Sequence, residues 1–437
     1  MTTSLALQSL LDAPLSPLLR SVPARAVGQP LSRVGDLGLS LLAGDLPLPA
    51  AILYDGALAH NGRWMRDFTA RAGVSLCPHG KTTMAPQLFQ RQFDDGAWGI
   101  TAATAAHVRT YRGFGVPRIL LANQLVGDAN VDLVFDELEA DPAFDFYLLV
   151  DSPAGLSQLR DALARRPLRR PLQVLLEVGA TGGRTGVRTL DEGLALGRAL
   201  RDAAPAIALR GIEAFEGIHS GEDHARCELA VHAMLDTIAA LARAGCDEGW
   251  FAEGDVILTA GGSAFFDIVA AVLPAVGSAT RRLHTVLRSG CYLTHDSLQY
   301  ERMQARMRQR SVALWGDGPG LRNAIEVWAW VQSVPEPGRA ICGLGKRDIS
   351  YDAMLPQPVR WFRPGVHDRP QPVQPGIAVT RLNDQHAYVD AEGDMPWQVG
   401  DMVGFGIGHP CTTFDKWALL YLVDDDCRVT GAVRTFF

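Results

Sequence analysis

Two short segments, more than three hundred residues apart, hold the residue types most suited to chemistry. In Pro78-His79-Gly80-Lys81-Thr82 a lone lysine directly follows an apolar, strand-like run at 74–78. A lysine amine at a strand end is a nucleophile that can form a Schiff base with a carbonyl. Alternation along the strand sends His79 and Lys81 to one side, which in a barrel mouth is the pocket side. Gly408-His409-Pro410-Cys411-Thr412-Thr413 carries a His-x-Cys pair. On an extended segment residues i and i+2 project together, so both can reach one ion. Imidazole plus thiolate favours zinc over magnesium or calcium. Two protein ligands leave positions open for water and substrate, and no second His/Cys cluster is present to close a four-ligand structural site. The two segments together suggest a pyridoxal-phosphate enzyme with a metal beside its cofactor.

Three further segments join them. Thr259-Ala260-Gly261-Gly262-Ser263 follows a strand-like run at 256–258 and precedes a helical run at 265–272. Glycines there let backbone N–H groups approach a phosphate. Arg288-Ser289-Gly290-Cys291-Tyr292 offers a second glycine to the same cup, and Gly183-Arg184-Thr185-Gly186 follows a strand-like run at 174–178. Arg184 could bind the cofactor's phenolic oxygen. Each segment alone has a plainer reading as a Gly-Gly turn, a surface arginine, or a buried histidine near an inert thiol. Their combination favours the chemical reading.

The elements that must position these residues alternate from about residue 50 to 305. Near-continuous apolar runs at 119–122, 146–150 and 172–176 read as strands buried on both faces. Helical stretches lie between them, at 156–165, 190–203 and 227–244. This predicts a parallel α/β barrel with reactive groups at strand C-terminal ends. Beyond residue 311 short strand-like pieces (325–334, 377–380, 387–389, 419–423) separated by Pro, Gly and Asp predict an all-β domain, with 356–375 as a loop inside it. The expected organisation is an N-terminal arm at 1–45, a barrel at 46–308 and a β-domain at 309–437. No repeat of fixed period is present.

Apolar residues make up 47% and charged residues 20%, a globular balance without a disordered tract. With 41 basic and 48 acidic side chains the net charge is −7, and no basic run is interleaved with aromatics, so nucleic acid is not an expected partner. The arginines of 302–310 read as a solvated helix face. No positive charge precedes Arg20, and no stretch reads as the roughly 18 apolar residues of a membrane span. Seven scattered cysteines predict free thiols in a reducing, cytoplasmic setting.

These segments, in this order, resemble the D-serine dehydratase and D-threonine aldolase family of fold-type III pyridoxal-phosphate enzymes. Gly99-Ile100-Thr101-Ala102-Ala103-Thr104, Ile119-Leu120-Leu121-Ala122-Asn123-Gln124 and Gly345-Lys346-Arg347-Asp348-Ile349-Ser350 extend the resemblance over about residues 50 to 435. It implies an alanine-racemase-like TIM barrel with a C-terminal all-β domain, working as a homodimer. It implies pyridoxal 5'-phosphate on Lys81, with His79, Arg184, Gly261, Gly262, Ser263, Gly290, Cys291 and Tyr292 around it, and a metal on His409 and Cys411. In that family a cysteine at the second ligand position goes with zinc and dehydration, and an aspartate with manganese-type aldolases. The implied activity is dehydration of a D-3-hydroxy amino acid such as D-serine to a 2-oxo acid and ammonia. The alternative is retro-aldol cleavage to glycine and an aldehyde. A non-catalytic cofactor carrier would lack the second domain, and a racemase would have no use for the His-x-Cys pair. Two positions depart from the family pattern. Phe215 stands where tyrosine is common near the pyridine nitrogen, and Ile218 where histidine is common, with His219 one place later. Glu216 is a candidate nitrogen partner if it turns inward; its default is a solvated position.

Overall fold

The computed structural model describes residues 3–219, 221, 223–316 and 318–437; Met1 and Thr2 of the expected arm lie outside them. Eight parallel strands run, in spatial order, from Ser75–Leu76 to Leu283–Leu287 and back through the sheet to Ile100–Ala102. The ends meet where Trp98 N–H donates to Leu76 O at 2.7 Å and Thr101 N–H donates to Pro78 O at 2.9 Å. The result is a barrel with helices on its outer face. Strands such as Asp145–Val150 and Leu172–Val178 are buried almost throughout because one face packs on helices and the other fills the barrel. Cys77, Leu120, Tyr147, Leu149, Leu175, Ile257 and Val286 form a separate apolar cluster, which plugs the interior. Chemistry is therefore confined to the mouth.

A second, ten-stranded sheet is mainly antiparallel. Its membership corrects the expected boundary at residue 46. Ala50–Tyr54 pairs antiparallel with Ile325–Glu336 and parallel with Leu419–Val423, so this strand lies outside the barrel. All five of its residues are buried, and Tyr54 donates to Glu326 Oε2 at 2.7 Å. The arm packs on the same sheet, with Leu10, Leu15, Leu31 and Val34 against Ile52, Trp328 and Tyr421.

Other expectations shift locally. The segment 356–375 is not simply a loop, because Gln357–Phe362 pairs with Met402–Gly406 and Gln371–Pro372 forms the sheet edge. Prolines are tolerated at such an edge. The solvated-face reading of 302–310 fails at Arg310. This residue ends the helix Gln299–Arg310, donates to Asp267 Oδ1 and Glu228 Oε1 at 2.7 Å each, and clamps the helix to the barrel. Helix Val312–Trp315 follows, so the stretch after 309 does not begin as β-structure. Helix His224–Asp247 does have the length and mean hydropathy of a membrane span, contrary to expectation, with half of that window buried in the fold. Its Val231, Leu235, Ile238 and Leu241 belong to the main core. All seven cysteines are free.

Candidate active site at the barrel mouth

The first barrel strand is only two residues long, so alternation does not place Lys81 as expected. Two hydrogen bonds, Cys77 N–H to Leu287 O (2.8 Å) and His79 N–H to Arg288 O (3.1 Å), carry the chain to the rim. It then curls into a 3-10 turn, Gly80–Thr82, which presents the exposed Lys81 at the mouth. Position 80 has to be glycine: a Cβ there would sit 2.6 Å from the Tyr111 hydroxyl and 2.7 Å from Ile100 Cγ2. His79 and Lys81 both line a cavity of about 530 Å³, whose other walls include Phe215, Gly261, Gly262, Ser263, Gly290, Cys291, Tyr300, His409 and Cys411. The cavity walls thus contain the predicted residues His79, Lys81, Gly261, Gly262, Ser263, Gly290, Cys291, His409 and Cys411. A deeper recess of about 120 Å³ adds Asn123, Arg184, Thr185 and Arg288. Burial, reinforced by Lys81 and Arg288, holds the His79 imidazole well below its usual range and so neutral. Arg184 lies 4.4 Å over the Phe215 ring, a cation–π contact.

The glycine loop is held differently from expectation. Glu216 is fully buried, not solvated, and both its oxygens accept the Gly262 N–H at 2.8 Å. It anchors the loop and does not serve as the pyridine nitrogen's partner. Gly262 therefore has no N–H to offer a phosphate. Gly261 makes room for Arg288, since a Cβ there would meet the guanidinium at 2.5 Å. What remains fits a phosphate: among the described residues the N–H groups of Ser263, Ala264, Gly290 and Cys291 have no protein acceptor. Ser289 Oγ donates to Gly262 O at 2.6 Å and ties the two loops into one cup. Tyr292 does not line the cavity. It belongs to the core behind it, and burial raises its phenol above the usual range.

Arg288 is the residue the motif reading passed over. It is 2% exposed, donates to Ala214 O at 2.7 Å and pairs with the buried Glu213. Burial pushes the Glu213 carboxyl up to about 7 against the pull of Arg288. Among the described residues Arg288 Nε, Glu213 Oε2 and His79 Nδ1 are buried without hydrogen-bond partners. Charged residues within or just after apolar strands, as at Glu177, Glu213 and Arg288, were the available signal. Lysine, phosphate cup and buried guanidinium together fit pyridoxal phosphate.

The His-x-Cys pair is not on an extended segment. Pro410 is helical and Cys411 opens the short helix Cys411–Phe414, so a turn brings the two side chains together. His409 Nδ1 meets Asp352 Oδ2 at 2.6 Å, which leaves Nε2 for an ion; Thr412 Oγ1 also donates to Asp352, at 2.7 Å. Cys411 Sγ contacts Thr82 Oγ1 at 3.4 Å and Cys291 Sγ at 3.8 Å. Hydrogen bonding from Cys291, then His409, holds the Cys411 thiol well below its usual range, while Cys411 and Asp352 raise His409 to about 9. A thiolate sulfur and an oriented imidazole are donors that suit zinc. Asp352, beyond the motif quoted from sequence, orients the histidine. Asp352→Asn is expected to weaken metal binding by about 10–100-fold, read by chelator competition; unchanged affinity would remove it from the site.

The barrel region matches the alanine racemase N-terminal domain family over residues 55–252. The family described as "Putative serine dehydratase domain" matches over residues 324–423. No curated protein sequence matches the chain. Among solved structures, D-threonine aldolase from Filomicrobium marinum superposes with a TM-score of 0.72 at 23% identity, covering 91% of this chain and 97% of that one. D-threo-3-hydroxyaspartate dehydratase from Delftia sp. HT23 gives 0.68 at 20% identity, covering 91% and 99%. Similar structures also include a histidine-to-alanine mutant of a D-threo-3-hydroxyaspartate dehydratase, and a cysteine-to-alanine mutant, two positions further on, in a metal-free form. With the two domain families matched in this order on a barrel joined to a β-sheet body, the chain belongs to the fold-type III, alanine-racemase-like family.

Proposed function

We propose that the protein is a pyridoxal-phosphate- and zinc-dependent dehydratase that converts a D-3-hydroxy amino acid, such as D-serine, to a 2-oxo acid and ammonia. One observation carries this reading. Cys411 touches the side chain of Thr82, the residue immediately after Lys81, so a metal on the His409–Cys411 pair stands beside the reactive amine.

When bound, the cofactor supplies an electron sink and the metal a Lewis acid for the departing β-oxygen. The chain's own residues do the rest. Ser263 and Gly290 N–H groups would hold the phosphate, and the neutral His79 and Phe215 would line the cofactor's cavity. Arg288, held by Glu213, keeps a positive charge at the deep end. Lys81 Nζ, once free, takes the proton from the substrate Cα. His409, oriented by Asp352, and Cys411 would hold the metal. A homodimer is the working unit in this reading, as the family resemblance implies.

Cleavage of Cα–Cβ is the competing use of the same parts, and the likeness to the D-threonine aldolase fold keeps it in the test. The protein is loaded with cofactor and zinc and given D-serine or D-threonine, and ammonia, oxo acid, glycine and aldehyde are assayed together. Ammonia and oxo acid in equal amounts are expected. Glycine with aldehyde would move the assignment to the aldolase. Chelation is expected to abolish elimination and added zinc to restore it; turnover indifferent to chelator would remove the metal from the reaction.

A further inference from the structure

We infer that Cys291 is a third ligand of the metal held by His409 and Cys411, making a Cys2His centre with one open position. The inference rests on the reading of His409 and Cys411 as a metal pair. Cys291 lies on the barrel loop after the last strand, and Cys411 on the turn of the β-sheet body, 120 residues later. Their sulfurs are nevertheless 3.8 Å apart, and Cys291 is only 6% exposed. Two thiolates on a tetrahedral zinc, each at about 2.3 Å, stand about 3.8 Å from one another. A disulfide would need the sulfurs at about 2.0 Å. The observed spacing, also that of an S–H···S contact, matches the metal-site edge.

The surroundings treat the two sulfurs as a pair. Thr82 Oγ1 lies 3.4 Å from Cys411 Sγ and 4.0 Å from Cys291 Sγ, so one hydroxyl serves both. The Tyr300 hydroxyl is also in hydrogen-bond contact with Cys291. Hydroxyls at ligand sulfurs orient them and tune the metal. Among the described residues no three His, Cys, Asp or Glu side chains stand as a finished cluster. The sulfur pair is already at ligand spacing; His409, in hydrogen-bond contact with Cys411, is the group that must shift onto the ion. Two thiolates and one imidazole disfavour magnesium and manganese. They leave one tetrahedral vertex for the substrate hydroxyl, where a two-ligand site would leave two.

The test is cobalt substitution in the cofactor-loaded protein, read as difference spectra against the zinc form. The thiolate-to-cobalt charge-transfer band is expected to fall to about half in Cys291→Ser, because its intensity counts bound thiolates. Zinc affinity in Cys291→Ser is expected to drop at least about tenfold, with the cofactor's visible band retained as evidence of fold. A cobalt band unchanged in Cys291→Ser but lost in Cys411→Ser would overturn the third ligand and leave the two-residue metal site standing. A wild-type protein that binds no cobalt or zinc would overturn both. A Cys291–Cys411 disulfide persisting in the metal-loaded protein, found by thiol alkylation and mass measurement, would also overturn the inference.

Discussion

Lys81→Ala is expected to lose turnover by on the order of 10³-fold or more and to lose the visible absorbance band of the cofactor-loaded protein. The size follows from two roles in one atom. In the proposed reading Nζ is both the nucleophile for the cofactor and the base at Cα; removing a positioned general base alone costs about 10²–10⁴-fold. The variant is a clean probe. Lys81 is exposed at the mouth and, among the described residues, its amine pairs with no carboxylate, so truncation leaves no buried partner stranded. The barrel beneath is held by Cys77, Leu120 and their neighbours, which the substitution does not touch. Absorbance and steady-state turnover check the result. A variant that keeps both would transfer the assignment away from Lys81.

The second large effect is expected at Cys411. Cys411→Ala should lose bound zinc and reduce elimination by about a hundredfold or more, since Lewis-acid stabilisation of a leaving oxygen is worth several kcal/mol. Cofactor binding should persist, because the phosphate cup and Lys81 belong to the barrel and Cys411 to the other body. Metal analysis and the visible band, measured on the same sample, separate this outcome from a general loss of fold. Unchanged zinc content would sink the assignment. His409→Ala should behave similarly, with the added consequence that Asp352 loses its imidazole partner.

Legibility followed chemical distinctiveness. Lys81, His409 and Cys411 could be named as candidates from sequence because the lysine motif and the His-x-Cys pair occur together, although either alone has a plainer reading. Barrel strands such as Leu172–Val178 were readable because burial on both faces forces a continuous apolar run. The same rule misplaced Ala50–Tyr54. Five buried residues read alike in a barrel or in an antiparallel sheet, and partners at Ile325–Glu336 and Leu419–Val423 lie hundreds of residues away. Glu216 was illegible for a related reason. Its default as a charged residue is solvent, and only Gly262, 46 residues on, reveals it as a buried acceptor. Arg288 was in view, but the adjacent Gly290 drew the argument towards phosphate. Cys291 was assigned to the cofactor cup because nothing local shows that the chain returns with Cys411 at its side. Arg310 looked like one of several surface arginines until Asp267 and Glu228 were placed around it.

The strand Ala50–Tyr54, threaded between Ile325–Glu336 and Leu419–Val423, also sets a timetable. The barrel is an insertion within the β-body: the chain starts that body, leaves it for more than two hundred residues, and returns to finish it. During synthesis the eight barrel strands and the phosphate cup are complete by residue 292, while Ala50–Tyr54 still waits for both neighbours. Closing that seam joins residues about 370 positions apart, a loop whose entropy must be offset late. His409 and Cys411 arrive with the last strands. A nascent chain therefore completes the Lys81 rim and the glycine loops well before the His409–Cys411 turn, which reaches them only when the first strand and the final ones meet.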